Sequence, residues 1–193
     1  AGTRMNELAE EMHCLVAYPA QSQQANAQRC WNWFSALDQK RGQGEPSIIE
    51  GITRQVMADY AVDDSQVYVA GLSAGGAMAT IMGTLYPELY AAVGVHSGLP
   101  FASAHDLPSA LSAMRGDFGK PLPPGRAVPI IVFHGDKGTT VHPANGDELI
   151  KQGARNVAEK AVTEPGSVPN GHRYTRTVHH RADGTPHAEQ WLI

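Results

Sequence analysis

Cysteine is scarce. The 193 residues hold two, Cys14 and Cys30, too few on their own to define a disulfide framework or a metal site. No apolar run approaches the length of a membrane span. No signal sequence opens the chain either, an absence that says nothing of compartment. Long runs of one charge are also missing. The formal net charge is −4, and no basic stripe of the kind that nucleic acid selects is present. Repeats and low-complexity tracts are absent. What remains is a globular composition, 42 % hydrophobic, in a length that suits one α/β domain or part of a larger one.

Helix and strand signals alternate along the chain. Thr3 is placed to cap a helix carrying Met5, Leu8, Ala9 and Met12 at helical spacing, and Leu15 to Tyr18 read as a strand closed by Pro19. Residues 20–46 are polar and turn-rich apart from the aromatic knot Cys30-Trp31-Asn32-Trp33-Phe34. Pro46 and Ser47 start a second helix, with Glu50 completing a capping box from Ser47 and an apolar face of Ile49, Ile52, Val56 and Tyr60. Val67 to Ala70 form a buried strand, and a helix follows to about Tyr86, where Pro87 stops it. Ala91 to Val95 make the next strand. Residues 97–128 read as an irregular insertion around a short helix at 107–114, a common place for substrate-contacting loops. Pro129 to Phe133 form another strand, and Pro143 opens a helix running to about Asn156. Arg173–Arg181 and Pro186–Ile193 flank the hairpin turn Ala182-Asp183-Gly184. This alternation predicts an α/β, doubly wound, mostly parallel sheet with its site at the carboxyl ends of the strands.

Chemistry concentrates where the strand at 67–70 ends. Gly71-Leu72-Ser73-Ala74-Gly75 matches the G-x-S-x-G nucleophile elbow between a strand and a helix. A serine on so sharp a turn is held in a strained backbone, so the residues two before and two after must lack bulk. Gly71 and Gly75 supply that, while Gly76 and Ala77 let the helix pack on the sheet. Ser73 is the expected nucleophile, and the backbone N–H of Ala74 the expected oxyanion donor. The competing reading is a glycine-rich turn whose serine only caps the helix.

A serine hydroxyl needs a histidine to take its proton and a carboxylate to orient that histidine, in the chain order Ser, acid, His. Asp136, just past the strand ending at Phe133, is the candidate acid. It is equally suited to capping a turn beside Gly135 and Gly138. Nine histidines are present. His96 and His134 end strands and are expected to hydrogen-bond locally, and the alternation of the terminal hairpin points several of His179, His180 and His187 to solvent. None has the place of the base. The chain therefore reads as a central part of a single domain spanning 1–193, incomplete at both ends.

Gly2-Thr3-Arg4-Met5-Asn6, Cys30-Trp31-Asn32-Trp33-Phe34, Ala70 through Met78, Val93-Gly94-Val95-His96-Ser97-Gly98 and Phe133-His134-Gly135-Asp136 resemble the polyhydroxybutyrate-depolymerase family of esterases, which is related to feruloyl and acetyl-xylan esterases. The resemblance covers nearly the whole chain. It implies an α/β-hydrolase fold, no metal or organic cofactor, and hydrolysis of small or polymeric carboxylic esters outside the cytoplasm; the charge and hydropathy patterns above already give neither nucleic acid nor membrane as a partner. It puts the nucleophile on Ser73, the oxyanion donor on Ala74, and the catalytic histidine beyond Ile193. The family's His-Gly-Cys oxyanion segment is expected before Ala1, its cysteine pairing with Cys30, and Cys14 is expected in the core. One departure touches the site. The family's acid commonly stands fifth in a His-Gly-x-x-Asp-x-x-Val run, where His134-Gly135-Asp136-Lys137-Gly138 has Gly138; Asp136 either replaces that acid or leaves the triad without one.

Trp31 and Trp33 are candidate substrate-binding residues, against the alternative of an aromatic satellite core. The leading expectation is a serine carboxylic ester hydrolase acting through an acyl-enzyme on Ser73, on short-chain acyl, hydroxyalkanoate or plant cell-wall feruloyl and acetyl esters. A peptidase or acyltransferase on the same fold is one alternative, and a non-catalytic or truncated hydrolase-like binding module is the other.

Overall fold

The computed structural model describes residues 3–119, 128–155, 157 and 160–193. Five helices, α1 (Met5–Met12), α2 (Gly44–Asp59), α3 (Ala74–Leu85), α4 (Leu107–Met114) and α5 (Ala144–Ala154), alternate with six strands. The strands are β1 (Tyr68–Leu72), β2 (Ala92–His96), β3 (Ile130–His134), β4 (Lys160–Ser167), β5 (Arg173–His180) and β6 (Pro186–Leu192). They form one mixed sheet in the order β1-β2-β3-β6-β5-β4. The first four run parallel, and β6, β5 and β4 turn back on one another as an antiparallel meander. Parallel neighbours need long crossovers, and α3 supplies the one from β1 to β2.

Alternation along the parallel strands sends one set of side chains toward α3 and α5. Val93 and Val95 of β2 and Ile130 and Val132 of β3 meet Ala79 of α3 and Leu149 and Ile150 of α5 in one buried cluster. Each of the valine, leucine and isoleucine side chains contributes about 1.5–3 kcal/mol of burial. Small residues let α3 lie against the sheet: a Cβ on Gly83 would stand 2.3 Å from Val93 Cγ2. The far side of α3 presents Met78, Ile81 and Met82 to a second cluster with Leu99, Phe101, Ala110, Ala113 and Val141. The segment after β2 is therefore core rather than the open insertion expected for 97–128: Leu99 is 1 % and Ala113 0 % exposed. Gln152 of α5 clamps it, accepting from Phe101 N–H at 3.0 Å and donating to Phe101 C=O at 3.0 Å. Residues 120–127 of that expectation lie outside the described residues.

Other local expectations change as well. Helix α1 forms, but its cap is Arg4 in the left-handed region with no side-chain bond, not Thr3. No strand forms at 15–18, where Leu15 and Tyr18 are more than half exposed; an apolar run makes a strand only beside a partner edge. Helix α2 starts at Gly44 rather than Pro46, and Ser47 Oγ donates back to Gly44 C=O instead of forming a capping box with Glu50. Strand β4 was not anticipated because Pro165 and Gly166 break its pattern; it is one of the sheet's two edge strands, where proline is tolerated.

Candidate active site

Strand β1 ends at Leu72, paired with His96 of β2. Ser73 then takes φ 55° and ψ −119° before α3 begins at Ala74. That conformation is sparsely populated for an L-residue and costs on the order of 1–3 kcal/mol. Two backbone bonds fix it: Ser73 N–H donates to His96 C=O and Ala77 N–H donates to Ser73 C=O, both at 2.9 Å. The glycine before the turn is forced by space, since a Cβ on Gly71 would stand 2.1 Å from Gly75 O and 2.2 Å from Gly75 C. Gly75 itself is not crowded. Its Cβ would meet only Trp31 Cδ1, at 4.0 Å, so the symmetrical steric role expected of Gly75 falls to Gly76, which faces Gly71 O at 3.0 Å.

The serine side chain makes no cap bond to α3, which removes the reading of Ser73 as a helix cap, and the residue is exposed. Ala74 N–H belongs to the first turn of α3, where leading N–H groups have no carbonyl partner inside the helix. They point, with the positive end of the helix dipole, toward the space beside Ser73.

Asp136 lies two residues past β3, at the same end of the sheet as Ser73. Its N–H donates to Ile193 C=O at 2.8 Å, and its side chain is exposed. The loop it opens closes over His134, which is 1 % exposed and donates from Nε2 to Val141 C=O at 3.0 Å. Gly138 sits inside that loop, where a Cβ would stand 2.6 Å from Val141 O. The backbone here is thus closed around glycine. Among the described residues, no hydrogen bond joins Ser73 to Asp136 or to a histidine ring.

The other histidines are dispersed. His96 is exposed at the end of β2, nearest in the sheet to Ser73. The expectation that the hairpin histidines face solvent is corrected: His179 and His180 are half-buried, and His187 is 2 % exposed. Helix α5 covers β6 there. His187 Nδ1 accepts from Arg181 Nη2 at 2.8 Å, and Nε2–H donates to Gly153 C=O at 3.1 Å. Burial, then the Arg181 charge, pushes its pKa below the usual histidine range. Of the two tryptophans, Trp33 is core, 6 % exposed and edge-on to Phe34 at 5.7 Å. Trp31 is half-buried beside the first turn of α3. Cys14 and Cys30 are exposed thiols, so Cys14 is not in the core.

Glu45, which the sequence did not single out, is 7 % exposed and bonded to Asn32 and Gln21. Burial pushes its carboxyl up, against the pull of those donors. A carboxylate at a helix start with asparagine thirteen residues earlier was the available signal. Among the described residues, no group of three or more His, Cys, Asp or Glu is placed to hold a metal ion, and no helix is long and apolar enough to cross a membrane.

A mainly parallel sheet whose strand passes through a strained, uncapped serine into a buried helix defines the α/β-hydrolase class. The fold agrees with that of the acetyl xylan esterase from Aspergillus awamori, at a TM-score of 0.68 and 21 % identity, over 90 % of this chain and 75 % of that one. The chain belongs to the esterase PHB depolymerase family, whose model matches residues 1–163. It is 32 % identical over 191 residues to poly(3-hydroxyalkanoate) depolymerase C of Paucimonas lemoignei, covering 92 % of this chain and 46 % of that protein. It is 31 % identical over 173 residues to the probable acetylxylan esterase A of Aspergillus fumigatus, covering 79 % of this chain and 46 % of that one. The chain thus spans about half the length of these relatives.

Proposed function

We propose that the protein is a serine carboxylic ester hydrolase, working through an acyl-enzyme on Ser73. The observation that carries this is the Ser73 backbone, strained at φ 55° with an exposed hydroxyl that caps nothing. Strain of that kind is retained where it places a nucleophile clear of its neighbours. In the reaction, Ser73 Oγ attacks the ester carbonyl, and the negative charge on the carbonyl oxygen is met by Ala74 N–H at the start of α3. Such a donor is worth roughly 10²–10³ in rate. Collapse of the tetrahedral species expels the alcohol, and water then releases the acid. The proton acceptor is a histidine, which the family resemblance puts beyond Ile193. Asp136 is the acid in this account, because it lies at the catalytic end of β3 and Gly138 has no side chain to offer.

Substrates are esters of short or hydroxylated acyl groups, as the names of the relatives suggest: a poly(3-hydroxyalkanoate) depolymerase, acetylxylan esterases and a feruloyl esterase. An extracellular location goes with polymers of that kind. One observation favours the second reading, a non-catalytic binding module: Gly138 at the family's acid position, inside a loop with no room for a Cβ. A fluorophosphonate probe separates the two. A hydrolase is labelled on Ser73, located by peptide mass spectrometry, and a binding module is not labelled.

A further inference from the structure

The residue before α2's second turn and the tryptophan beside the elbow are connected. Glu45 accepts from Asn32 N–H at 2.7 Å, from Asn32 Nδ2 at 2.6 Å and from Gln21 Nε2, while its own N–H donates to Asp38 Oδ1 at 2.6 Å. Asn32 Oδ1 in turn accepts from Asn26 Nδ2 at 2.9 Å, and Asn26 Oδ1 accepts from Cys30 N–H at 3.3 Å. Gln21 Nε2 also donates to Cys30 C=O at 3.4 Å. Both backbone neighbours of Trp31 are therefore pinned, and Trp33 is seated in the core on the far side. Trp31 is the one aromatic of the knot turned toward Gly75, two residues past Ser73, and it stops 4.0 Å from where a Cβ there would stand.

We propose that Glu45 is a positioning residue that holds the Trp31 indole as the apolar wall of the acyl subsite beside Ser73, so that the Glu45–Asn32 anchor sets acyl-chain preference. This rests on the ester-hydrolase reading of Ser73. The anchor and the nucleophile are held by separate bonds: Ser73 is fixed by His96 C=O and by Ala77 N–H, none of which involves Glu45. Loosening the anchor moves the wall and leaves the nucleophile in place. A glutamine at 45 offers one acceptor and one donor group where the carboxylate accepts three N–H bonds, and it leaves an Asn32 N–H unpaired. Gly75 fits the same picture, since any side chain there would fill the gap between the indole and the elbow.

The test combines kinetics with a readout independent of turnover. The three tryptophans, labelled with 5-fluorotryptophan, are assigned in ¹⁹F spectra by Trp→Phe variants, and hexanoate, the product acid, is titrated in. The expected result is a shift confined to Trp31, weakened about tenfold in Glu45→Gln, whose free Trp31 resonance also moves. In turnover, Glu45→Gln raises KM for p-nitrophenyl hexanoate about tenfold and leaves kcat for p-nitrophenyl acetate unchanged; added to Trp31→Ala it has less than about a twofold effect. The proposal is overturned if hexanoate leaves Trp31 unshifted, or if Glu45→Gln lowers acetate and hexanoate turnover alike with the Trp31 resonance unmoved. Should the wild type hydrolyse neither ester, the Ser73 reading fails and the ¹⁹F titration alone decides. Should Glu45→Gln not fold, Trp31→Ala decides: a KM raised more for hexanoate than for acetate supports the wall, and unchanged chain preference overturns it.

Discussion

Ser73 donates its backbone N–H to the carbonyl of His96 at 2.9 Å, one residue beyond the last ladder pair, Leu72 with His96. The strained turn is thereby tied to the neighbouring strand rather than left to a loop. The hydroxyl is presented from a rigid scaffold, and the first turn of α3 is aimed by the same bond.

The two glycines of the elbow should behave differently. Gly71→Ala places a methyl 2.1 Å from a backbone oxygen that the α3 start cannot move, and is expected to destabilise by about 2 kcal/mol or more. Gly75→Ala meets only an ordinary contact with Trp31 and should change stability by less than about 1 kcal/mol. Denaturant unfolding of both variants measures the contrast.

Gln152→Ala removes both bonds to Phe101 and leaves a buried N–H and C=O without partners. A loss of about 2–4 kcal/mol is expected, seen as a lower unfolding midpoint. The Ser73 backbone should be unaffected, because its own hydrogen bonds run to His96 C=O and Ala77 N–H and not to the clamp.

His187 makes stability depend on pH with a definite sign. Its folded pKa is lowered by burial and by Arg181, so below the unfolded value of about 6.5 the unfolded chain takes up the proton that the folded site resists. Stability is therefore fully present above about pH 6.5 and falls as pH drops below it. His179, lowered by burial and by His180, acts in the same direction. The loss of Tm between pH 7 and pH 5.5 should shrink in His187→Gln, even though that variant starts from a lower Tm.

The acid position can be probed from both sides. Asp136→Asn should lower kcat for p-nitrophenyl butyrate by about 10²-fold or more if Asp136 orients the histidine. Gly138→Asp should lower Tm, because its Cβ would press on Val141 C=O at 2.6 Å. A Gly138→Asp variant as stable as the wild type would show that the loop opens more readily than its hydrogen bonds imply.

What was legible in the sequence was whatever local pattern alone decides. The run Val67–Ala70 and the small residues after Ser73 specify a strand, a sharp turn and a close-packed helix without help from elsewhere; the burial expected of that strand does not hold, because β1 stands at an edge of the sheet with Tyr68 63 % and Leu72 60 % exposed. The Leu107–Met114 helix was legible for the same reason: Asp106 caps it and its second residue is proline. Where the outcome depends on a partner, local pattern failed. Leu15 to Tyr18 have strand composition but no neighbouring edge, and Lys160–Ser167 has poor composition but a long partner in β5. The candidate site shows the same division. Ser73 and Ala74 are named by their own motif, whereas the burial of Glu45 and its hold on Asn32 depend on two segments meeting in space. Trp33 and Trp31 look alike in sequence, and only packing makes one core and the other a wall beside the elbow.

The most direct test of the account is hydrolysis of p-nitrophenyl acetate and butyrate by the purified protein and its Ser73→Ala variant. The account predicts turnover that vanishes with the hydroxyl while the variant stays folded. Equal turnover by the folded Ser73→Ala variant would contradict it.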